Sequence, residues 1–317
     1  MARIVVTGRV PAPALELLQV AGDTWMWEHP DPIPRDRLLA ELGDAEALLT
    51  VFAPADQAVL DAAPRLRVVA NVAVGYDNVD VAACTARGIR VTNTPGVLTD
   101  ATADIAFGLL LSATRRLGEA ERLLRSGATF VWGFETLLGT GLQGRQLGVV
   151  GMGDIGAAIA RRARAFGMSV AYSNRRAVAP AIEAELGARL LPLDELLATS
   201  DVVSLNCPYT PETHHLIDAA ALARMKPTAF LVNTARGKVV DEEALVEALR
   251  TGVIAGAGLD VFEHEPKVHP GLLELENVAL APHVGSATVE TRTAMAVLAA
   301  RNAVAVLAGE EPPTPVN

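Results

Sequence analysis

Between residues 146 and 176 the chain reads QLGVVGMGDIGAAIARRARAFGMSVAYSNRR. An apolar strand running into Gly151-x-Gly153-x-x-Gly156, then a helical run, then a second strand, is an arrangement that receives the pyrophosphate of a dinucleotide. Gly151 allows the tight turn, Gly153 lets backbone N–H groups approach the phosphates at the helix N-terminus, and Gly156 lets helix and strand pack closely. Met152, Asp154 and Ile155 complete this loop. About 20 residues after the first glycine an Asp or Glu would bond the ribose 2′-OH of NAD. This chain has Ser173-Asn174-Arg175-Arg176 there. With no carboxylate to repel it, a 2′-phosphate can be held by the hydroxyl, the amide and one or both guanidinium groups. The expected cofactor is therefore NADP(H) in preference to NAD(H); the competing reading makes Arg175 and Arg176 solvated loop cations.

The second chemical element is an acid with a partner. The histidines are His29, His214, His215, His264, His269 and His283. His29 lies in a Pro-rich stretch, and His214–His215 follow Thr-Pro-Glu-Thr, so these three read as surface positions. His264 and His269 share a loop with Pro266 and Pro270. His283 differs, because it follows the apolar run Val278–Pro282 and precedes Gly285-Ser286, a strand end opening toward a helix, where ligands sit in open α/β sheets. Arg236 ends another apolar strand beside Gly237, and Glu265 follows a third strand end together with Asp260 and Glu263. Alone, each has a structural explanation as an ion-pair or loop residue. Three consecutive strand ends delivering Arg, an acid cluster and His after a dinucleotide loop match the needs of carbonyl reduction.

The elements that must position these groups alternate throughout. Short apolar runs at Ile4–Thr7, Ala47–Val51, Leu66–Val72, Gly148–Gly151, Ser169–Tyr172, Val202–Asn206, Ala229–Asn233, Gly256–Asp260 and Val278–Ala281 read as strands, separated by Ala/Leu-rich helical segments. They do not alternate polar with apolar, as expected when helices cover both faces of a parallel sheet. The fold class is α/β with doubly wound parallel sheets. A turn-rich break at Val91–Asp100 precedes a helix expected over Ala101–Leu117, with Thr99 or Asp100 as N-cap. A second break, Ala281-Pro-His-Val-Gly-Ser, precedes a helix from about Thr288 to Leu307, and the Pro-rich end is not helical.

Composition narrows the class. The chain has 317 residues, room for about two domains, and 50% hydrophobic against 20% charged residues, which excludes global disorder. A net charge of −10 and no Lys/Arg stripe argue against nucleic acid. The two cysteines, Cys84 and Cys207, form no metal motif, so no metal is expected and a reducing compartment fits. Neither a signal peptide nor an apolar run of ~18–20 residues stands out, giving the expectation of a cytoplasmic protein with no membrane partner.

The stretches NVAVGYDNVD (71–80), TADIAFGLLLSATRR (102–116), GVVGMGDIGAAIA (148–160), SLNCPYTPETHHLI (204–217), FLVNTARGKVVDEEAL (230–245), GAGLDVFEHEP (256–266) and APHVGSAT (281–288) together resemble the D-isomer-specific 2-hydroxyacid dehydrogenases, nearest to the glyoxylate/hydroxypyruvate reductase branch. The resemblance implies two Rossmann-like domains with a cleft between them: a discontinuous substrate-binding domain, 1–98 plus 287–317, and a dinucleotide-binding domain, 99–286. It implies that Arg236 holds the substrate carboxylate and ketone, that His283 is the acid/base and that Glu265 orients and charges that His. Asp260 would meet the nicotinamide amide, with Thr102, Cys207, Pro208, Thr213, Thr234, Ala235 and Gly285 also on the cofactor side. Phe52, Ser286 and the backbone of Val74 and Gly75 would face the substrate. His264 stands where a less reactive residue such as Pro is expected.

The implied reaction is reduction of a small 2-keto acid, glyoxylate or hydroxypyruvate, to the D-2-hydroxy acid by hydride transfer. A Glu265 carboxylate beside it favours the charged imidazole, so reduction should fade as pH climbs. The loop Thr50–Asp56 has no cation, which disfavours 3-phosphoglycerate, while Phe52 keeps larger 2-keto acids open. Trp132 and the Gly-rich run to Gly144 resemble a segment that packs on a neighbouring subunit, implying a homodimer. A reading from a different class, a non-catalytic dinucleotide sensor, is separated from these by turnover.

Overall fold

The computed structural model describes residues 1–317, which divide into two compact units, Met1–Leu98 with Ser286–Asn317, and Thr99–Gly285. The first unit is built on strands β1 (Ala2–Val6), β2 (Gly22–Met26), β3 (Ala45–Thr50), β4 (Val68–Asn71) and β5 (Arg90–Thr92), all parallel, in the order β2-β1-β3-β4-β5. Helices α1 (Ala12–Ala21), α2 (Arg35–Glu41), α3 (Gln57–Ala62) and α4 (Val81–Ala86) are its crossovers. Asp56 and Asp80 start α3 and α4 by accepting the Val59 and Ala83 N–H groups, caps worth about 1 kcal/mol each. Ile4, Val6, Leu49 and Val68 form one buried layer with Ala296, Ala299, Ala300 and Ala303 of the chain's last helix, Val289–Ala308. Alanines on that stripe let the helix lie close to the sheet.

The residues after that helix return to the sheet edge. Pro315 bridges Thr92, Val316 N–H donates to the Val91 carbonyl (2.8 Å), and Val91 N–H donates to Asn317 Oδ1 (2.7 Å). Fully buried Asn302 bonds the Thr314 hydroxyl (2.7 Å) and takes the Thr314 N–H (3.0 Å).

The second unit opens with α5 (Thr99–Thr114) and α6 (Leu117–Arg125) and continues β6 (Gln146–Val150), α7 (Asp154–Ala165), β7 (Ser169–Ser173), α8 (Pro180–Leu186), β8 (Ala188–Leu190), α9 (Leu193–Thr199) and β9 (Val202–Leu205). It closes with α10 (Ala219–Arg224), β10 (Phe230–Asn233), α11 (Glu242–Arg250), β11 (Gly256–Leu259), α12 (Pro270–Leu273) and β12 (Val278–Leu280). Seven parallel strands run β12-β11-β10-β9-β6-β7-β8, so the order reverses between β6 and β9, the position at which doubly wound sheets bind ligands. Both units are parallel α/β sheets with helices, as the apolar runs require. Gly258 shows why β11 is glycine-rich: a Cβ there would stand 2.9 Å from Leu109 Cβ of α5.

Three strands escape the sequence reading, and each is an edge or a short piece: β2, β5 and β8. Short edge strands need no continuous apolar run, so GDTWM, RVT and ARL carry little signal. The helix expected over Ala101–Leu117 runs instead from Thr99 to Thr114, which places Thr99 and Asp100 inside its first turn and not at the N-cap. Arg116, at φ +55°, breaks the chain before α6 begins. No helix is long and apolar enough to cross a membrane.

Candidate active site

The loops leaving β10, β11 and β12 meet at the carboxyl edge of the second unit's sheet. Buried Asn233 folds the first of them: its Oδ1 accepts the Ala235 N–H (3.0 Å) and its Nδ2 donates to the Arg236 carbonyl (2.9 Å). Arg236 Nη1 donates to the Ala235 carbonyl (2.8 Å). The following Gly237 lies directly on the β11 loop, where a Cβ would fall 1.8 Å from the Phe262 carbonyl carbon. Only glycine permits that approach.

Asp260, 1% exposed, ends β11 and accepts the Val284 and Gly285 N–H groups at 2.8 and 2.7 Å, while its carbonyl takes the His283 N–H at 2.8 Å. His283 is held at φ +54°, a backbone state disfavoured for a non-glycine residue and fixed here by these bonds. Its Nδ1 stands 2.8 Å from Glu265 Oε2, and Glu265 Oε1 accepts the Phe262 N–H at 2.9 Å. Burial pushes the Glu265 carboxyl upward, but the His283 bond, the Phe262 N–H and the charges of His283 and Arg236 together hold it below the usual carboxylate range. Asp260 goes the other way, raised by burial against the pull of its two backbone donors and His283.

At the strand-order reversal the three glycines of the phosphate loop separate by environment. Gly151, at φ +94°, leaves 2.6 Å between a would-be Cβ and Cys207 N, and Gly156 leaves 2.4 Å to the Gly151 carbonyl oxygen. Gly153, which precedes α7, faces open space, with no atom within 4 Å of its absent Cβ. A chain that closes two glycines against backbone and keeps the third open at a helix N-terminus fits a dinucleotide pyrophosphate. Buried and unbonded Thr234 Oγ1 and Asn206 Oδ1, in the loops after β10 and β9, are further polar atoms suited to that ligand.

Several residues expected on the cofactor side have work within the fold. The Asn174 amide is tied to the glycine loop, its Oδ1 accepting the Met152 N–H at 2.7 Å and its Nδ2 donating to the Met152 carbonyl at 3.5 Å. Ser173 ends β7, and Arg175 and Arg176 are exposed beyond it. The Glu212 carboxyl is held low by the Thr210 hydroxyl, its own N–H and the Arg175 charge, so Arg175 has a carboxylate of this chain nearby. The Thr213 hydroxyl takes the Thr210 N–H and donates to the Pro208 carbonyl, both at 2.8 Å. Burial pushes the Cys207 thiol up to about 11, which rules it out as a thiolate nucleophile at neutral pH. Thr102, on α5, flanks Gly285.

In the first unit Phe52 follows β3 at φ +63° and is 62% exposed. The Val74 and Gly75 carbonyls are tied down by Asn93 Nδ2 (2.9 Å) and Asn71 Nδ2 (2.8 Å). Asn78 joins this loop to the Phe52 loop by donating to the Ala53 carbonyl (3.1 Å) and Asn71 Oδ1 (3.2 Å). Ser286 is half-buried, its carbonyl accepting the Thr288 N–H (2.9 Å).

Two residues went unread in the sequence. The Thr50–Asp56 loop lacks a cation, but Arg292 of the last helix lays its guanidinium 5.9 Å from the Phe52 ring centre, so this face does carry positive charge from a distant segment. His215, read as a surface turn residue, is bonded to Glu263 at 2.8 Å. Both links join residues too far apart in sequence for spacing to show. No group of three or more His, Cys, Asp or Glu side chains is placed to hold a metal.

Comparison with known proteins agrees with this geometry. A family model described as D-isomer specific 2-hydroxyacid dehydrogenase, NAD binding domain, matches residues 107–285. A glyoxylate reductase of Thermococcus onnurineus is 52% identical over 99% of this chain and 96% of its own length. A solved protein of Thermus thermophilus superposes with TM-score 0.92 at 47% identity, covering 99% of this chain and 100% of that one. An NADPH-dependent glyoxylate/hydroxypyruvate reductase of Sinorhizobium meliloti, solved with NADP and malonate, gives TM-score 0.86 at 41% identity, covering 99% and 96%. The chain belongs to the D-isomer-specific 2-hydroxyacid dehydrogenase family of nucleotide-dependent oxidoreductases.

Proposed function

We propose that this chain reduces small 2-keto acids, glyoxylate and hydroxypyruvate, to D-2-hydroxy acids, with NADPH preferred to NADH. The observation that carries the reading is the 2.8 Å pair of His283 Nδ1 and Glu265 Oε2, on the same sheet edge as Arg236, in a chain half identical to a glyoxylate reductase along its length. A reduced nicotinamide dinucleotide, when bound, supplies the hydride. Glu265 fixes the His283 ring through Nδ1, and the proton on Nε2 passes to the keto oxygen as that oxygen gains charge. Arg236 offers two fixed N–H donors to the planar keto acid, anchoring it and polarising the carbonyl. In the first unit, the Val74 and Gly75 backbone N–H groups take the carboxylate, and Phe52 and Ser286 line the substrate.

The cofactor is held by the 151–156 loop and by Thr102, Cys207, Pro208, Thr213, Thr234, Ala235, Asp260 and Gly285. NADPH preference rests on Ser173, Asn174, Arg175 and Arg176, with no carboxylate from 173 to 176, and the Sinorhizobium relative described above is itself named NADPH-dependent. The unit Met1–Leu98 with the C-terminal segment is assigned the substrate and Thr99–Gly285 the cofactor. A second copy of the chain is inferred to cover Val131, Trp132 and Phe134, which are 79, 88 and 97% exposed. The two free cysteines suit a reducing, cytoplasmic setting.

The test is oxidation of NADPH or NADH against glyoxylate, hydroxypyruvate, pyruvate and a branched 2-keto acid. Fast turnover of the first two with NADPH is expected. The exposed Phe52 ring favours one second reading, a larger 2-keto acid, and activity confined to the branched substrate would establish it. Cofactor binding without turnover of any of them would refute catalysis.

A further inference from the structure

We infer that His215 is a positioning residue for this reaction, fixing Arg236 and Glu265 relative to each other. The inference rests on the catalytic reading of Arg236, Glu265 and His283 above. The segment after β9 reverses at His215, whose backbone is held at φ +49°. A histidine in that conformation persists only where its surroundings dictate it, and here two bonds do. Its N–H donates to the Lys238 carbonyl at 2.9 Å, two residues beyond Arg236. Its Nε2 lies 2.8 Å from Glu263 Oε1, two residues before Glu265.

One residue thus grips both catalytic loops at equal remove from their functional side chains. The remaining side of the triangle is the contact of Gly237 with Phe262. Glu263 is further fixed by Glu242, whose Oε1 accepts the Glu263 N–H at 2.8 Å and whose N–H donates to Glu263 Oε2 at 3.4 Å. Two facing carboxylates, one of them only 5% exposed, are a costly element for a mere turn. Burial and Glu263 raise the Glu242 carboxyl, whereas the His215 bond is the foremost influence holding Glu263 low against its own burial. The pair is retained in the fold together with a strained backbone, and what it holds in place is the loop that ends in Glu265.

The test uses the full chain with three variants. His215→Asn keeps a residue that tolerates the left-handed turn but is too short to reach Glu263; His215→Gln keeps a donor of sufficient reach; Glu263→Ala removes the other partner. Steady-state kinetics with glyoxylate and saturating NADPH, melting temperature, and amide exchange of the apo protein are measured for each. H215N and E263A are expected to lose at least tenfold in kcat with KM for NADPH within twofold, and exchange over 260–266 should rise while 146–165 stays protected. H215Q should recover to within about threefold of the parent. A kcat within twofold in H215N and E263A overturns the inference, as does an equal loss in H215N and H215Q accompanied by general loss of protection. If the parent turns over no 2-keto acid, the catalytic reading itself fails, and the exchange at 260–266 still decides whether His215 holds that loop.

Discussion

Gly237 rests against Phe262 so closely that a methyl group on the glycine would fall 1.8 Å from the phenylalanine's carbonyl carbon. The loop carrying Arg236 and the loop carrying Glu265 therefore share one backbone contact surface. Gly237→Ala must move one of them, a backbone shift costing about 1–3 kcal/mol or more. The melting temperature should fall, and on the proposed mechanism kcat should fall at least tenfold because Arg236 and Glu265 lose their relative placement. An alanine variant with the parent's melting point and kcat would show that the two loops are not in this contact.

On the proposed mechanism, replacing His283 by Ala removes the proton donor. Reduction should slow by ~10²–10⁴-fold, the usual contribution of general acid catalysis. Cofactor binding, followed by fluorescence of the reduced nicotinamide, should change little, since none of the phosphate-loop contacts is touched.

Glu265 titrates below its ordinary range, and the sign of its effect follows. A carboxyl depressed in the folded state contributes stability that is present above its unfolded value and lost as pH falls through the folded one. The Glu265–His283 pair should thus survive mild acid and break only below the usual carboxylate range, and the difference in melting temperature between the parent and Glu265→Gln should close there. Glu265→Gln also removes the carboxylate that fixes the His283 ring through Nδ1, so on the proposed mechanism kcat should fall at least tenfold, and an unchanged kcat would deny Glu265 this role.

The phosphate-loop glycines should separate folding from binding. Gly153→Ala adds a methyl into open space at a helix start, costing about 1 kcal/mol or less in stability, yet should weaken NADPH binding at least tenfold by filling the approach to the phosphates. Gly156→Ala, 2.4 Å from a carbonyl oxygen, should instead lower the melting temperature by several degrees.

Charge-assisted bonds to a phosphate contribute about 1.5–3 kcal/mol each. The double variant Arg175→Ala/Arg176→Ala, which removes one or both of them, should therefore lose at least ~10-fold in kcat/KM for NADPH and far less for NADH. Equal losses with both would remove the 2′-phosphate assignment.

What the sequence made legible was whatever is written locally. Gly151, Gly153 and Gly156 are informative because strand, turn and helix are consecutive, and the central strands because burial on both faces demands unbroken apolar runs. The edge strand Gly22–Met26 escaped since an edge needs no such run. Arg236, the acid cluster Asp260, Glu263 and Glu265, and His283 could be picked out because they follow consecutive strands of one parallel sheet, so sequence order is also spatial order; the resemblance alone singled out Glu265 among the acids. His215 with Glu263, and Arg292 over Phe52, stayed hidden for the opposite reason: 48 and 240 residues separate the partners, and no periodicity spans that distance. The link of Asn174 to Met152 was equally invisible, because the sequence gives no hint that the amide oxygen turns inward to the glycine loop.

The last helix and the residues after it have a consequence for how the chain becomes a protein. The first unit's sheet has no complete inner layer until Ala296, Ala299, Ala300 and Ala303 arrive, and its β5 edge stays unpaired until Pro315 and Val316 reach it. The same tail supports the Val74–Gly75 loop at one remove, Thr314 donating to the Asn93 carbonyl (2.6 Å) and Asn93 to that of Val74. During synthesis the intervening unit, continuous in sequence, can close on itself first. The amino-terminal strands are made earliest and finished last, and until then an open sheet edge waits for a partner that is still being translated.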